Sequence, residues 1–441
     1  MLFCAPLARL LRIFAVANLV FAPASAMAVF EDAKITASDG EEFDAFGFSV
    51  SIFGDTAVIG APGDDDNEAD SGSAYVYRYN GSDWVEEGPK LTASDGEADD
   101  LFGFSVSIAG DKAVIGAYGD SDDGQSSGSA YVFRYNGNAW VEDEKLTASD
   151  AAAFDLFGYS VSISGNAIVV GAHGDSDDGP ASGSAYVFRY DGNSWVEEEK
   201  LTAYDGAEAD RFGRSVSISG NKVLVGAFAD NDDGANSGSA YVFRYNGNAW
   251  VEDEKLTASD GAAVDQFGGS VSISGNTAVI GAANDDDNGS DSGSAYVFRF
   301  DGDNWVEEEK LTPSDGAEAD RFGISVSISA NSVVVGAEMD DDAGSSSGSA
   351  YVFTNDGGGW QEETKLTASD GMQFATFGGS VSIFADTAVV ATIGDDENGE
   401  LSGSAYVFGE VVAVPSLTPL AIVLLGTLMG AAGARRVPGL P

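Results

Sequence analysis

The stretch that decides the fold runs from Ser215 to Leu256. It reads Ser215-Val-Ser-Ile-Ser219, then Gly220-Asn221, Val223-Leu-Val-Gly-Ala227, the acidic run Asp230 to Gly238, Ser239-Ala-Tyr-Val-Phe-Arg-Tyr245, Asn246-Gly247 and Trp250-Val-Glu-Asp-Glu-Lys-Leu256. The first segment alternates with period 2, the mark of a strand. Gly220-Asn221 turns the chain into a second strand. Asn246-Gly247, whose residues tolerate positive φ, is a strong hairpin signal between the third and fourth strands. The second and third strands are apolar on both faces, which suits a sheet packed between two neighbours. The fourth carries Glu252, Asp253, Glu254 and Lys255, charges that blunt an outer edge against pairing with another chain.

The same unit recurs along the chain. Phe-Gly pairs stand at Phe46, Phe102, Phe157, Phe212, Phe267, Phe322 and Phe377, spaced by 56 residues once and by 55 five times. Four antiparallel strands per repeat and seven repeats predict an all-β, seven-bladed β-propeller of four-stranded blades. The last copy stops after Ser404-Ala-Tyr-Val-Phe408, and the missing fourth strand is supplied by Phe30-Glu-Asp-Ala-Lys-Ile-Thr36, which matches Val251 to Thr257. The N-terminal strand is therefore expected to complete the last blade and close the ring.

With Phe-Gly, then Gly60-Ala61-Pro62 and an aspartate-rich loop, the repeat resembles the FG-GAP repeat of integrin α-subunit propellers and their bacterial relatives, over about residues 29–410. The proline is kept only once. Tyr118, His173, Phe228, Ala283 and Glu338 replace it, and the seventh copy reads Ala391-Thr392; these changes are expected to bear on loop rigidity rather than on the fold.

Two terminal segments differ from the repeats. Residues 1–28 have Arg9 and Arg12, the apolar run Ile13 to Phe21 and small residues ending in Ala26 or Ala28, the layout of a secretory signal helix cleaved after one of those alanines. Residues 413–441 hold Val414-Pro415-Ser416-Leu417, an apolar run and Arg435-Arg436, a hydrophobic helix that resembles the IPTL- and PEP-type sorting tails of Gram-negative exported proteins; a permanent membrane anchor is the alternative. The propeller domain is placed at 29–412. Export to the cell surface, outer envelope or surroundings follows as an expectation.

Acidic residues number 72 against 21 basic, a net charge of −51, which excludes a nucleic-acid footprint. The one cysteine, Cys4, lies in the signal segment and the one histidine is His173, so disulfides and histidine-based catalysis are not expected. Alternation of strand direction puts the loops between second and third strands on the same face as the blade-to-blade connectors. Together these hold 44 carboxylates. Such crowding repels itself unless neutralised. Hard oxygen donors in Asp-x-Asp loops with a nearby glycine suit calcium. The candidate ligands are Asp64, Asp66 and Asp70; Asp120 and Asp122; Asp175 and Asp177; Asp230 and Asp232; Asp285, Asp287 and Asp291; Asp340 and Asp342; and Asp395. Several weak Ca2+ sites are expected, strongest in the first and fifth loops because Asp70 and Asp291 add a late carboxylate. Purely solvated acidic turns are the alternative.

The tryptophans at 84, 140, 195, 250, 305 and 360 share one blade position and read as packing residues. Near-identical blades argue against a distinct catalytic pocket. The sequence thus points to a monomeric, non-enzymatic module that binds an unidentified protein or polysaccharide, with contact to the membrane through its tail. A structural envelope component or an enzyme with a site in the central channel are the rivals.

Overall fold

The structure, a computed structural model, describes Val29 and residues 31–409. All regular elements among them are β-strands, arranged as seven four-stranded antiparallel sheets. Blade four shows the plan: Ser215–Ser219, Lys222–Ala227, Ser239–Tyr245 and Trp250–Leu256 lie side by side in chain order. The first strands of successive blades meet around a common axis, where Ile218 N donates to Ser162 Oγ of the preceding blade at 3.1 Å. The ring closes with the same contact: Val50 N donates to Ser380 Oγ and Ile52 N to Ser382 Oγ, each at 3.1 Å.

The double-sided apolar strands are buried throughout, as Val223 to Ala227 and Ala240 to Phe243 illustrate. Their side chains interleave with the neighbouring blade: Val169, Val187 and Leu201 of blade three pack with Val223, Val225, Tyr241 and Trp250 of blade four. Phe212 meets Tyr241 and Phe243 edge-on at 5.5 and 5.9 Å, a favoured aromatic arrangement. The motif glycines permit this approach. Gly213 has φ +86°, and a Cβ there would lie 2.2 Å from the Ser184 carbonyl; at Gly226 it would lie 2.0 Å from the Gly268 carbonyl of the next blade. Neither position admits a side chain.

The N-terminal strand Glu31–Ile35 pairs antiparallel with Ser404–Phe408 and completes the seventh sheet, whose remaining strands are Thr387–Thr392 and Ser380–Phe384. Ile35 is buried in the seam between blades seven and one. The fourth strand is less uniform than the sequence suggests. In blade one it shrinks to Trp84–Glu86, because Gly88 takes φ +80° and Pro89 has no N–H to give the ladder; pairing resumes only at the bridge between Ala74 and Leu91. In the other complete blades a bulge leaves one acidic residue unpaired. Asp253, the bulged residue of blade four, accepts Arg244 Nη2 at 2.7 Å. The proposed signal helix and hydrophobic tail lie outside the described residues.

Candidate functional site

Each connector is laced to the acidic loop of the preceding blade. Ala209 N donates to Pro180 O at 2.9 Å, Arg211 N to Ala181 O at 3.2 Å and Phe212 N to Ser182 O at 2.9 Å. Both acidic segments therefore occupy one face of the disc.

On that face the carboxylates converge in seven equivalent clusters. In blade four, Asp230 opens the loop with a buried side chain, and its Oδ1 accepts the Asp232 N–H at 3.0 Å. The connector residue Asp205 approaches from the other side. The Tyr241 hydroxyl lies 2.9 Å from both Asp205 and Asp230. Lys255, from the fourth strand, places Nζ 2.9 Å from Asp205, 2.9 Å from Asp230 and 2.6 Å from Asp232. It also sits over the Tyr241 ring, 5.2 Å from its centre. The three ammonium protons thus meet three carboxylates. Lys34, Lys90, Lys145, Lys200, Lys310 and Lys365 repeat the arrangement at 2.5–3.1 Å. Burial works against the lysine charge, but hydrogen bonds to the three carboxylates outweigh it and raise the pKa above the usual lysine value. Burial likewise favours the neutral form of Asp205, and the Lys255 and Tyr241 hydrogen bonds reverse it, holding that carboxyl below its ordinary range.

The sequence-derived ligands divide by position. Asp64, Asp120, Asp175, Asp230, Asp285, Asp340 and Asp395 are the buried members of the clusters. Asp66, Asp122, Asp177, Asp232, Asp287 and Asp342 are the exposed arms, with Glu397 in blade seven. Asp70 and Asp291 stand at left-handed corners, φ +50° and +53°, and take no part in the lysine contacts. The lysines, the tyrosines and the connector aspartates were missed from the sequence, although each repeats with the same spacing as the loops.

A second feature lies on the axis. A cavity of about 480 Å³ opens among the starts of the first strands and the ends of the second. It is lined at the position after Phe-Gly by Phe48, Phe104, Tyr159, Arg214, Gly269, Ile324 and Gly379, and at the former proline position by Phe228, Ala283, Glu338 and Ile393. The substitutions expected to bear on loop rigidity rather than on the fold leave the fold intact and also shape an axial pocket, where the blades diverge from one another. Phe104 packs at 4.6 Å from Phe48 and 4.7 Å from Tyr159, an aromatic arc across three blades. His173 stands behind it, buried, 4.2 Å from Tyr159, with Nδ1 lacking a partner among the described residues. Burial and the nearby Arg214 and Arg211 push its pKa down to about 3, so it is neutral. Asp44, Asp100, Asp155 and Asp265, in the connectors, are pushed up to about 6, chiefly by burial.

The repeat model that describes the chain is the FG-GAP repeat, matching residues 29–77, 84–133, 140–188, 195–243, 250–298, 305–353 and 360–408. The chain belongs to the FG-GAP repeat family. No curated protein matches this FG-GAP chain. Among solved structures, the crystal structure of Saccharomyces cerevisiae Sqt1 is similar over 80% of this chain and 82% of its own, at 12% identity and a TM-score of 0.45.

Calcium was expected in this FG-GAP propeller from its loops. Carboxylate oxygens of Asp150, Asp175 and Asp177, and of Asp260, Asp285 and Asp287, lie within 4.8 Å of one another and could hold a metal. The same carboxylates already accept the Lys200 and Lys310 ammonium groups. A divalent ion and the lysine are thus alternatives for one set of donors.

Proposed function

We propose that this FG-GAP propeller is an exported, non-enzymatic module that binds a protein or polysaccharide through its acidic face, at the cell surface or in the surrounding matrix. One observation carries the reading: the blades are nearly uniform in their strands and clusters, while their divergent side chains gather at the axial mouth of that face. A purely structural envelope component has no need of such asymmetry. Residues 1–28 and 413–441 fit export and surface retention by their composition. Calcium enters this proposal in a restricted role: it engages a cluster when the lysine withdraws, so its contribution to stability is small while the ammonium is in place. The test coats beads with the full chain and measures retention on films of polysaccharides and of matrix proteins. Retention on at least one film, abolished by soluble competitor, is expected. Uniform failure to adhere would favour the structural role.

A further inference from the structure

Among the described residues, the cations of this acidic chain are almost all spoken for. Every lysine and arginine among the described residues has a carboxylate oxygen within 4.0 Å, except Arg211, Arg214 and Lys222. Lys222 donates instead to the Gly275 carbonyl and to Asn276. Arg211 and Arg214 belong to one repeat, and Arg214 lines the axial cavity. Its guanidinium lies 4.5 Å from the Tyr159 ring centre and 5.7 Å from that of Phe228. Stacking fixes the plane of an arginine while leaving its N–H fork for a planar anion.

The rest of the cavity narrows the choice. The aromatic arc of Phe48, Phe104 and Tyr159 forms one wall. Gly269, across the ring from it, and Gly379, next to Phe48 in the adjoining blade seven, leave space where the first three blades carry rings. Glu338 is already paired with Arg321 at 3.6 Å, so Arg214 supplies the excess charge of the lining. The surrounding acidic face disfavours dense negative charge, which leaves a ligand residue that brings a single carboxylate into the cavity. Strand serines ring the base; Ser215 Oγ, for example, donates to the Gly268 carbonyl at 2.8 Å and keeps its lone pairs for a donor from within the cavity. Gln266 and Thr376 add further polar groups. A ligand with one carboxylate, several hydroxyl donors and a flat C–H face satisfies all of these walls, and about 480 Å³ falls within the usual size of small-ligand pockets.

We infer that the axial cavity binds a carboxylated pyranose, a hexuronate residue, with its carboxylate on Arg214 and its ring face on the Phe48–Phe104–Tyr159 arc. The inference deepens the proposed polysaccharide-binding role and rests on it for its biological meaning.

The repeats supply substitutions that the fold already accepts. Arg214→Ile places the residue of Ile324 at the equivalent position of blade four. Gly379→Phe places the residue of Phe48 and Phe104 in blade seven; Gly379 has no positive φ, and the nearest atom to its added Cβ is the tip of Glu338 at 3.3 Å. The full chain is titrated calorimetrically with sodium D-glucuronate and with D-glucose up to about 10 mM, the weak end of measurable affinity. Glucuronate binding is expected, with glucose and Arg214→Ile weaker by about tenfold or more, the scale of a lost charge-assisted hydrogen bond, and with Gly379→Phe weakened because its ring fills the space of the ligand. Thermal melts matching the parent establish that the variants are folded. If Gly379→Phe fails to fold, Arg214→Ile and the glucose comparison decide alone. No glucuronate binding by the parent, or binding that ignores Arg214→Ile, overturns the inference. Bead retention on any film in that event leaves the broader binding role standing. Glucuronate binding that depends on Arg214, without retention on any film, upholds the cavity's ligand and removes the adhesive role instead.

Discussion

Replacing Lys255 by methionine tests whether the chain supplies its own counter-cation. The substitution keeps the length of the stem and removes the charge at the centre of three carboxylates. Only the pair with Asp230 is well withdrawn from water on both sides, the two side chains being 16% and 4% exposed. Asp232 is 64% exposed, so its pair adds at most about 1 kcal/mol. Losing one partner of a buried pair costs about 3–5 kcal/mol. The Tyr241 hydroxyl remains as a donor beside Asp230, which places the expected loss near the lower figure, about 3 kcal/mol. The melting shift per kcal/mol falls with chain size, to about 1–2 °C here, giving a decrease of about 3–6 °C. The assay is differential scanning calorimetry at neutral pH in chelator, in calcium at about 1 mM, and in equal magnesium as control. Calcium should restore much of the loss in Lys255→Met while barely moving the parent, because only the variant offers the three oxygens without a competing ammonium. A variant melting within about 1 °C of the parent would refute the energetic role of the cluster. Equal calcium stabilisation of both proteins would refute the claim that lysine and ion share one place.

Three further outcomes follow from the same geometry. Stability should peak in mild acid: Asp44, Asp100, Asp155 and Asp265, at about 6 in the fold, stabilise it below the ordinary aspartate value and lose that contribution as pH rises through 6, whereas the depressed Asp95, Asp150, Asp205 and Asp260 contribute above their ordinary value and lose it as pH falls. Melting temperatures that climb steadily to pH 8 would contradict this balance. His173→Phe, which copies Phe228 of the next blade, should be neutral or stabilising by about 1 kcal/mol, since it removes a buried nitrogen without a partner; a clear drop in chemical-denaturation midpoint would show that the nitrogen is satisfied after all. Deleting residues 29–37 removes the outer strand of blade seven and Lys34 together, so it should lower the melt several-fold more than Lys255→Met and direct limited proteolysis first to blade seven; an unchanged digestion pattern would count against the closure.

The repeat spacing and the alternation of Ser215 to Ser219 were enough to specify strands, blades and closure, because a two-residue period and a 55-residue self-match each have one compact solution. Asp230 and Asp232 were likewise found from the loop pattern. What the cluster contains was harder to see. Lys255 lies 23 residues beyond Asp232 and reads locally as an edge charge; only the pairing of third and fourth strands brings it over Tyr241. The axial cavity was obscured for a different reason. Arg214, Gly269 and Gly379 are single departures in otherwise regular copies, and divergence spread through seven repeats acquires meaning only when the ring places those positions around one axis.

Blade seven has a mechanical consequence. The strand Ser404–Phe408, the last among the described residues, is hydrogen-bonded on both flanks, to Thr387–Thr392 and to Glu31–Ile35. Traction applied from that end reaches an interior strand, and rupture there requires two ladders to give way together. An outermost strand in the same place would peel one bond at a time. The borrowed N-terminal strand would therefore double as a strain relief under any pull on that end.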